Sequence, residues 1–314
     1  MKTVSIVIPV FNEEESLPEL FQRLDIQFQI LDQLFDFEVI LVNDGSTDSS
    51  FNLIQSKIMI DDRYKLISLS RNFGHQAALI AGLNRAKGDS VIVMDADLQD
   101  PPELIPELIR VWTEGADVVY AQRRHRSGES WFKKATASMF YRLLDSLSDT
   151  SLPRNVGDFR LIDKRVVKLL IEMTEKSIYL RGLISWIGFT QSSVLYDRDP
   201  RFAGDTKYSL RKMIDLSMDA IISFSERPLR LVTRLGLFVT TLSFLTVSFF
   251  LATTPFEFGP RAPGWLSIIL AILILGGVQL VCLGIVGEYI SKIYRESKNR
   301  PIYIIDDYRS SDHD

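Results

Sequence analysis

The chain has 314 residues, enough for one large or two ordinary domains, with 36 Lys+Arg against 40 Asp+Glu and a formal net charge of −4. That balance excludes the basic surface of a nucleic-acid binder. A lone cysteine, Cys282, excludes a disulfide framework and a cysteine-based zinc site, and the three scattered histidines, His75, His125 and His313, suggest no histidine metal centre.

Val4–Val10 is a β-rich run that follows Met1 directly, without the pattern of a cleaved leader. Ser16 with Glu19 three residues on has the form of a capping box, and apolar positions at helical spacing follow it. Phe37–Val42 predicts a second strand, ending in Asn43-Asp44-Gly45-Ser46, and a helix covers roughly 48–60. Lys65–Leu69 predicts a third strand, followed by Ser70-Arg71-Asn72-Phe73-Gly74 and an Ala-rich helix to about 87. Ser90–Met94 is a fourth and Asp117–Ala121 a fifth. Strands alternating with helices predict a mostly parallel sheet covered on both faces, with ligands outside the carboxyl ends of its strands. Asn12-Glu13, Asp44, Arg71 and Asp95/Asp97 would then converge on one crevice. No G-x-G-x-x-G follows the first strand, so this is not a dinucleotide-binding unit.

After Ser90–Met94 the chain turns acidic, with Asp95, Asp97, Gln99 and Asp100 ahead of Pro101-Pro102 and a helix start. Two carboxylates two apart at the end of a central strand are costly unless something positive sits there. Mg²⁺ prefers one or two carboxylates plus phosphate oxygens, so a divalent cation carrying a diphosphate would offset that cost. A solvated strand-to-helix loop is the plainer alternative.

Leu235–Thr254 and Trp265–Gly287 lack any charged residue, and each is long enough to span a bilayer. Arg227, Arg230 and Arg234 precede the first span; Lys292, Arg295, Lys298 and Arg300 follow the second, whereas the connecting loop carries only Glu257 and Arg261. The positive-inside bias predicts an integral protein of the inner (plasma) membrane, with both termini and the catalytic half in the cytoplasm. The expected organisation is a globular domain over 1–206, an amphipathic juxtamembrane helix and linker over 207–234, the two spans over 235–287 and a tail over 288–314.

Ile8-Pro9-Val10-Phe11-Asn12-Glu13-Glu14, Val42-Asn43-Asp44-Gly45-Ser46-Thr47-Asp48 and Asp95-Ala96-Asp97-Leu98-Gln99-Asp100-Pro101 resemble motifs of family 2 glycosyltransferases of the GT-A fold. With Ser70-Arg71-Asn72-Phe73-Gly74-His75, Gly157-Asp158-Phe159-Arg160 and the two spans, the chain resembles a polyprenyl-phosphate glycosyltransferase, the group of dolichyl-phosphate mannose synthases and bacterial undecaprenyl-phosphate glucosyltransferases. The resemblance covers nearly all of residues 1–300. It implies a GT-A α/β domain plus a two-helix transmembrane hairpin. It implies inverting transfer of a sugar, best matched by glucose from UDP-glucose, onto a polyprenyl phosphate at the cytoplasmic membrane face. GDP-mannose as donor, or a processive polysaccharide synthase, is the alternative, although the Gln-x-x-Arg-Trp signature of the latter is missing.

The resemblance also implies roles. Asp95, Asp97 and Gln99 would hold Mg²⁺ or Mn²⁺, with Asp97 also counted as catalytic. Pro9, Phe11, Glu13, Asp44, Arg71 and Asp95 would bind the nucleotide sugar. Asp-Gly turn chemistry at Asp44, helix charge compensation at Glu13 and a plain surface position at Arg71 stand beside those roles. Asp158 is either the general base or a group that orients sugar hydroxyls or an arginine, because a lipid phosphate is already anionic. Arg160, Arg198, Arg201 and Lys207 would bind the acceptor phosphate, with Arg124 and Arg126 as further cations whose simpler reading is a solvated charge run. The implied partners are a nucleotide-sugar donor, a lipid acceptor, the membrane and further copies of the chain in a tetramer.

Overall fold

The computed structural model describes residues 1–124, 156–173, 175–176, 179–197, 227–253 and 265–310. They form two units. The first is an eight-stranded sheet with helices on both faces, in the order β7-β5-β6-β4-β1-β2-β3-β8. Its strands are β1 (Lys2–Val10), β2 (Phe35–Asn43), β3 (Tyr64–Leu69), β4 (Ser90–Val93), β5 (Val118–Arg123), β6 (Val156–Asp163), β7 (Gln191–Tyr196) and β8 (Ile305–Arg309).

The first four strands run parallel around β1, as the β-branched runs predict. Their interiors are buried on both faces, which is why they read as continuous apolar runs rather than alternations. Side chains of alternating direction divide the core. Val4, Ile6 and Ile8 of β1 share one cluster with α1 (Leu17–Leu31), α2 (Ser50–Ile58) and α4 (Ile105–Thr113). On the other face α3 (His75–Leu83) lies so close to β1 that a Cβ at Gly82 would sit 2.3 Å from Val7 Cγ1. Glycine is the residue that lets this helix and strand touch.

Three elements differ from the expectation. β6 runs antiparallel between β4 and β5, and β8 adds antiparallel to the edge of β3, so the sheet is mixed. The tail expected to be separate thus supplies a strand of the first unit. The capping box at Ser16 does not form: the Ser16 hydroxyl donates to the Glu13 carbonyl and carboxylate instead, and α1 begins with Pro18 in its first turn. Pro101-Pro102 open a short 3-10 turn (Pro102–Leu104) that leads into α4.

Two further helices, α5 (Lys164–Glu172) and α6 (Leu180–Ile187), complete the described part of the first unit. Asp163 caps α5, accepting from Arg165 N–H at 2.9 Å. The second unit holds α7 (Arg227–Thr253) and α8 (Trp265–Ser297). Among the described residues one helix segment, Ile274–Ser297, is long and apolar enough to cross a membrane by length and composition. Helix α8 continues ten residues beyond Gly287, where the uncharged run ends. The expected amphipathic helix, with Arg198, Arg201, Lys207 and Arg126, lies outside the described residues.

Candidate active site

The parallel strands deliver their carboxyl ends to one place. After β1 and β2 the loops are tied together. Asn12 Oδ1 accepts the Thr47 N–H at 2.8 Å, and the Glu13 N–H donates to Ser50 Oγ at 2.9 Å. Asn12 adopts φ +56, a conformation that asparagine tolerates better than most residues.

Asp44, buried at the end of β2, spends both carboxylate oxygens on the loop after β3. It accepts the N–H groups of Phe73 at 2.7 Å and Gly74 at 2.9 Å. Burial nevertheless raises its pKa above the ordinary value. Gly45 next to it has φ +70, and a Cβ there would stand 2.6 Å from Asn72 N. The Asp-Gly pair is therefore turn chemistry that also fixes the neighbouring loop.

Beyond β4, the acid pair sits where the ladder with β6 runs out. Val93 pairs with Arg160 in the antiparallel register, so two residues further along Asp95 stands level with Asp158. Burial raises the Asp95 carboxyl, as do the charges of Asp158 and Asp97, with His75 opposing. Its Oδ1 is buried and has no hydrogen-bond partner. An orphaned, half-neutralised carboxylate oxygen is what a cation would satisfy. Among the described residues no three His, Cys, Asp or Glu side chains form a metal-ligand group. Asp95 and Asp97 with Gln99 fit a cation that takes its remaining oxygens from a ligand. The Gln99 N–H donates to Asp97 Oδ1 at 3.2 Å, and between them buried Leu98 is forced to φ +60. A bulky residue in the left-handed region stores strain, which tends to collect at functional loops.

Asp158 is the most heavily supported carboxylate. Arg181 of α6 grips it with a fork, Nε to Oδ1 at 2.7 Å and Nη2 to Oδ2 at 3.1 Å. His75 Nε2 stands 3.3 Å from its Oδ2 and 3.6 Å from Asp95 Oδ1. Gln76 Nε2 donates to Asp158 Oδ2 at 3.4 Å, and its Oε1 accepts the Leu180 N–H at 3.1 Å, tying α3 to the start of α6. Burial alone would raise Asp158; Arg181 and His75 outweigh it and hold the carboxyl well below the usual range. Burial disfavours the charged imidazole of His75, but Asp158 and Asp95 overcome this and push it up to about 9. Asp100 backs the acid loop from beneath. Its carboxylate accepts the Asp95 N–H at 3.4 Å and the Tyr196 hydroxyl at 3.2 Å, and burial beside Asp95 pushes it up to about 7.

Two expectations need correcting. Arg160 is 4 % exposed and donates to the carbonyls of Gly157 at 2.7 Å and Asp158 at 3.3 Å, so it braces β6 and does not reach out to a phosphate. Burial lowers it to about 10, with Asp158 opposing. Pro9 is buried inside β1, level with Val42, and is part of the sheet rather than the crevice wall. Phe11 is exposed just beyond it. Arg71 is exposed, stacks over its neighbour Phe73 at 4.1 Å and donates to the Asn72 carbonyl. Arg124 lies 3.7 Å from Asp197.

Comparison with known proteins decides the family. The model of "Glycosyl transferase family 2" matches residues 5–170, and that of the "GtrB C-terminal hairpin" matches 227–293. The chain belongs to glycosyl transferase family 2. It is 43 % identical over 302 residues to a bactoprenol glucosyl transferase of Shigella phage SfV, covering 96 % of this chain and 97 % of that one. It is 41 % identical, over 96 % and 98 % of the two chains, to a prophage bactoprenol glucosyl transferase homolog of Escherichia coli (strain K12). An uncharacterized glycosyltransferase of Bacillus subtilis (strain 168) is 47 % identical over 96 % and 92 %. Among solved structures, a glucosyl-3-phosphoglycerate synthase of Mycobacterium tuberculosis, in complex with Mn²⁺, UDP and phosphoglyceric acid, superposes with TM-score 0.47 at 18 % identity, covering 70 % of this chain and 76 % of that one.

Within this family 2 site, sequence reading did not single out Arg181, Gln76 or the Tyr196–Asp100 contact. His75 stood inside a quoted motif, but its isolation from other histidines concealed its place between two carboxylates.

Proposed function

We propose that the chain transfers glucose from a nucleoside-diphosphate donor, best matched by UDP-glucose, to a polyprenyl phosphate at the membrane, with inversion at the anomeric carbon. The relatives named for bactoprenol glucosyl transfer support the acceptor and the sugar. The observation that carries the chemistry is the pairing of Asp95 with Asp158 across the end of the β4–β6 ladder. In the reaction the bond from the anomeric carbon to the donor diphosphate breaks, and a bond to a lipid phosphate oxygen forms. No proton need be removed from an acceptor that is already an anion.

A divalent cation held by Asp95, Asp97 and Gln99 would offset the charge of the diphosphate. The orphaned Asp95 oxygen supports that role. Asp158 is a poor base because Arg181 holds it ionised and accepts no proton itself. Its better role is to aim the cationic side chains of Arg181 and His75 into the site and to hold sugar hydroxyls. His75 and Arg181, rather than Arg160, supply positive charge near the reacting groups. Asp44 keeps the loop after β3 in place and thereby shapes the nucleotide side of the crevice.

Topology supports a membrane hairpin with both termini on one side. Strand β8 follows α8 in the chain yet lies in the same sheet as β1. A chain that leaves a folded unit through a bilayer and returns to it crosses an even number of times. If α8 crosses, α7 is the other crossing. Exposed apolar side chains on both helices, such as Leu237, Phe244, Ile272 and Leu280, suit a lipid surround.

The test is a donor panel with undecaprenyl phosphate and Mg²⁺, with and without EDTA. Glucose transfer from UDP-glucose that chelation abolishes is expected. Transfer of a different sugar alone would overturn the donor assignment, and transfer indifferent to EDTA would overturn the metal role. In sealed inside-out vesicles, protease is expected to reach the sheet domain; protection there would overturn the topology.

A further inference from the structure

The segment from Ser70 to Arg85 carries the loop that Asp44 pins and the α3 residues His75 and Gln76. It is fastened at both ends by residues that come after α8. At its start, the Ser70 N–H donates to the Ile304 carbonyl at 3.0 Å. At its end, the Tyr303 hydroxyl hydrogen-bonds with the Asn84 side chain, and the Arg85 guanidinium lies over the Tyr308 ring at 5.1 Å. The returning chain enters this position through a firm stop: Asn299 at φ +46 donates its N–H to the Glu296 carbonyl at 3.1 Å, and Pro301 comes two residues later.

A strand that only shields a sheet edge needs the ladder with β3 and nothing more. The contacts to Asn84 and Arg85 lie outside that ladder. The ladder itself shifts register between Ser68 and Leu69, just before the segment begins. Such a shift bends a strand and re-aims the residues beyond the bend. We propose that Tyr303, Ile304 and Tyr308 are positioning residues for the donor site, clamping both ends of 70–85. The Asp44-held loop and the first turn of α3 then keep their places on the crevice. This positioning role presupposes the donor site proposed above.

The test uses the full-length chain in lipid nanodiscs. The double variant Y303A/Y308A is expected to raise KM for UDP-glucose about tenfold, the scale of one hydrogen bond plus one cation–π contact, with kcat nearly unchanged. Tyr308→Phe keeps a ring under Arg85 and is expected to retain the wild-type KM. Amide hydrogen exchange reads the same contacts without any donor: exchange over 70–85 is expected to quicken while β1 and β4 stay protected. A lower Tm with KM and exchange over 70–85 unchanged would mean a simple edge cover and would overturn the proposal. Should the double variant not fold, Asn84→Ala and Arg85→Gln remove the contacts from the α3 side and are judged by the same readouts. A wild-type chain that ignores UDP-glucose would count against the donor reading alone, and the exchange result would still decide this one.

Discussion

Arg181 holds Asp158 by both carboxylate oxygens, at 2.7 and 3.1 Å, from a helix that begins 17 residues after β6 ends. A fork of this kind fixes direction as well as charge, which a lysine cannot do. Arg181→Lys is expected to lower kcat about tenfold and Arg181→Met about a hundredfold, on the scale of losing one preorganised electrostatic contact.

The same pair sets a dependence on pH. The folded Asp158 carboxyl lies well below its ordinary 3.8, so the ionised form, and the stability it contributes, is present above that value and is lost only as pH falls through the depressed one. Without Arg181, protonation begins at higher pH. The acid limb of the rate profile for Arg181→Met should therefore move upward relative to wild type. Superimposable acid limbs would contradict the clamp.

Asp95 is expected to separate activity from stability. Its buried oxygen lacks a partner in the folded chain, so removing it relieves a cost rather than a contact. Asp95→Ala should cut transfer by about 10²–10³-fold or more, the scale of losing a key electrostatic stabiliser. Its Tm, measured without donor or metal, should match or exceed that of wild type. A clearly lower Tm would show that the carboxylate is structural.

At the other end of the strands a buried group behaves in the opposite way. Glu38 accepts from the Ser5 hydroxyl, from Lys87 N–H at 2.6 Å and from Lys65 Nζ at 2.9 Å. Burial raises its carboxyl, but these donors together lower it below the ordinary 4.5. Its contribution to stability is present above 4.5 and fades as pH falls through the lowered value. Lys65→Met leaves this charge buried without its partner and should cost about 3–5 kcal/mol in thermal unfolding. Glu38→Gln should flatten the loss of stability on acidification below 4.5.

Two glycines form a controlled comparison. Gly45 and Gly115 both have positive φ, at +70° and +111°. A Cβ at Gly45 would strike Asn72 N, whereas nothing lies within 4 Å of one at Gly115. Both alanine substitutions should cost about 1–2 kcal/mol from strain. Only Gly45→Ala should also raise KM for the donor, by pushing on the loop that Asp44 pins.

Much of this was legible in the sequence because doubly buried parallel strands advertise themselves as β-branched runs, with acids where they stop. Asp44, Asp95, Asp97 and Asp158 all stand near such ends. Arg181 was not legible. It lies 23 residues beyond Asp158 in an ordinary Leu-Arg-Gly, and only the antiparallel course of β6 brings the two together. Arg160 looked like a free cation because its motif shows a charge but not the carbonyls that occupy it. Strand β8, Ile-Asp-Asp-Tyr-Arg, reads as a polar tail because an edge strand half in water can carry charges that a central strand cannot.

The antiparallel β6 carries one more implication, for insertions and deletions. Neighbouring residues on a strand point to opposite faces. Deleting one residue between Asp158 and Asp163 would leave every acid and arginine of the site in the chain. It would nonetheless turn Asp158 away from Asp95, so the chemistry would be silenced by a frame error in the backbone with no side chain of the centre altered.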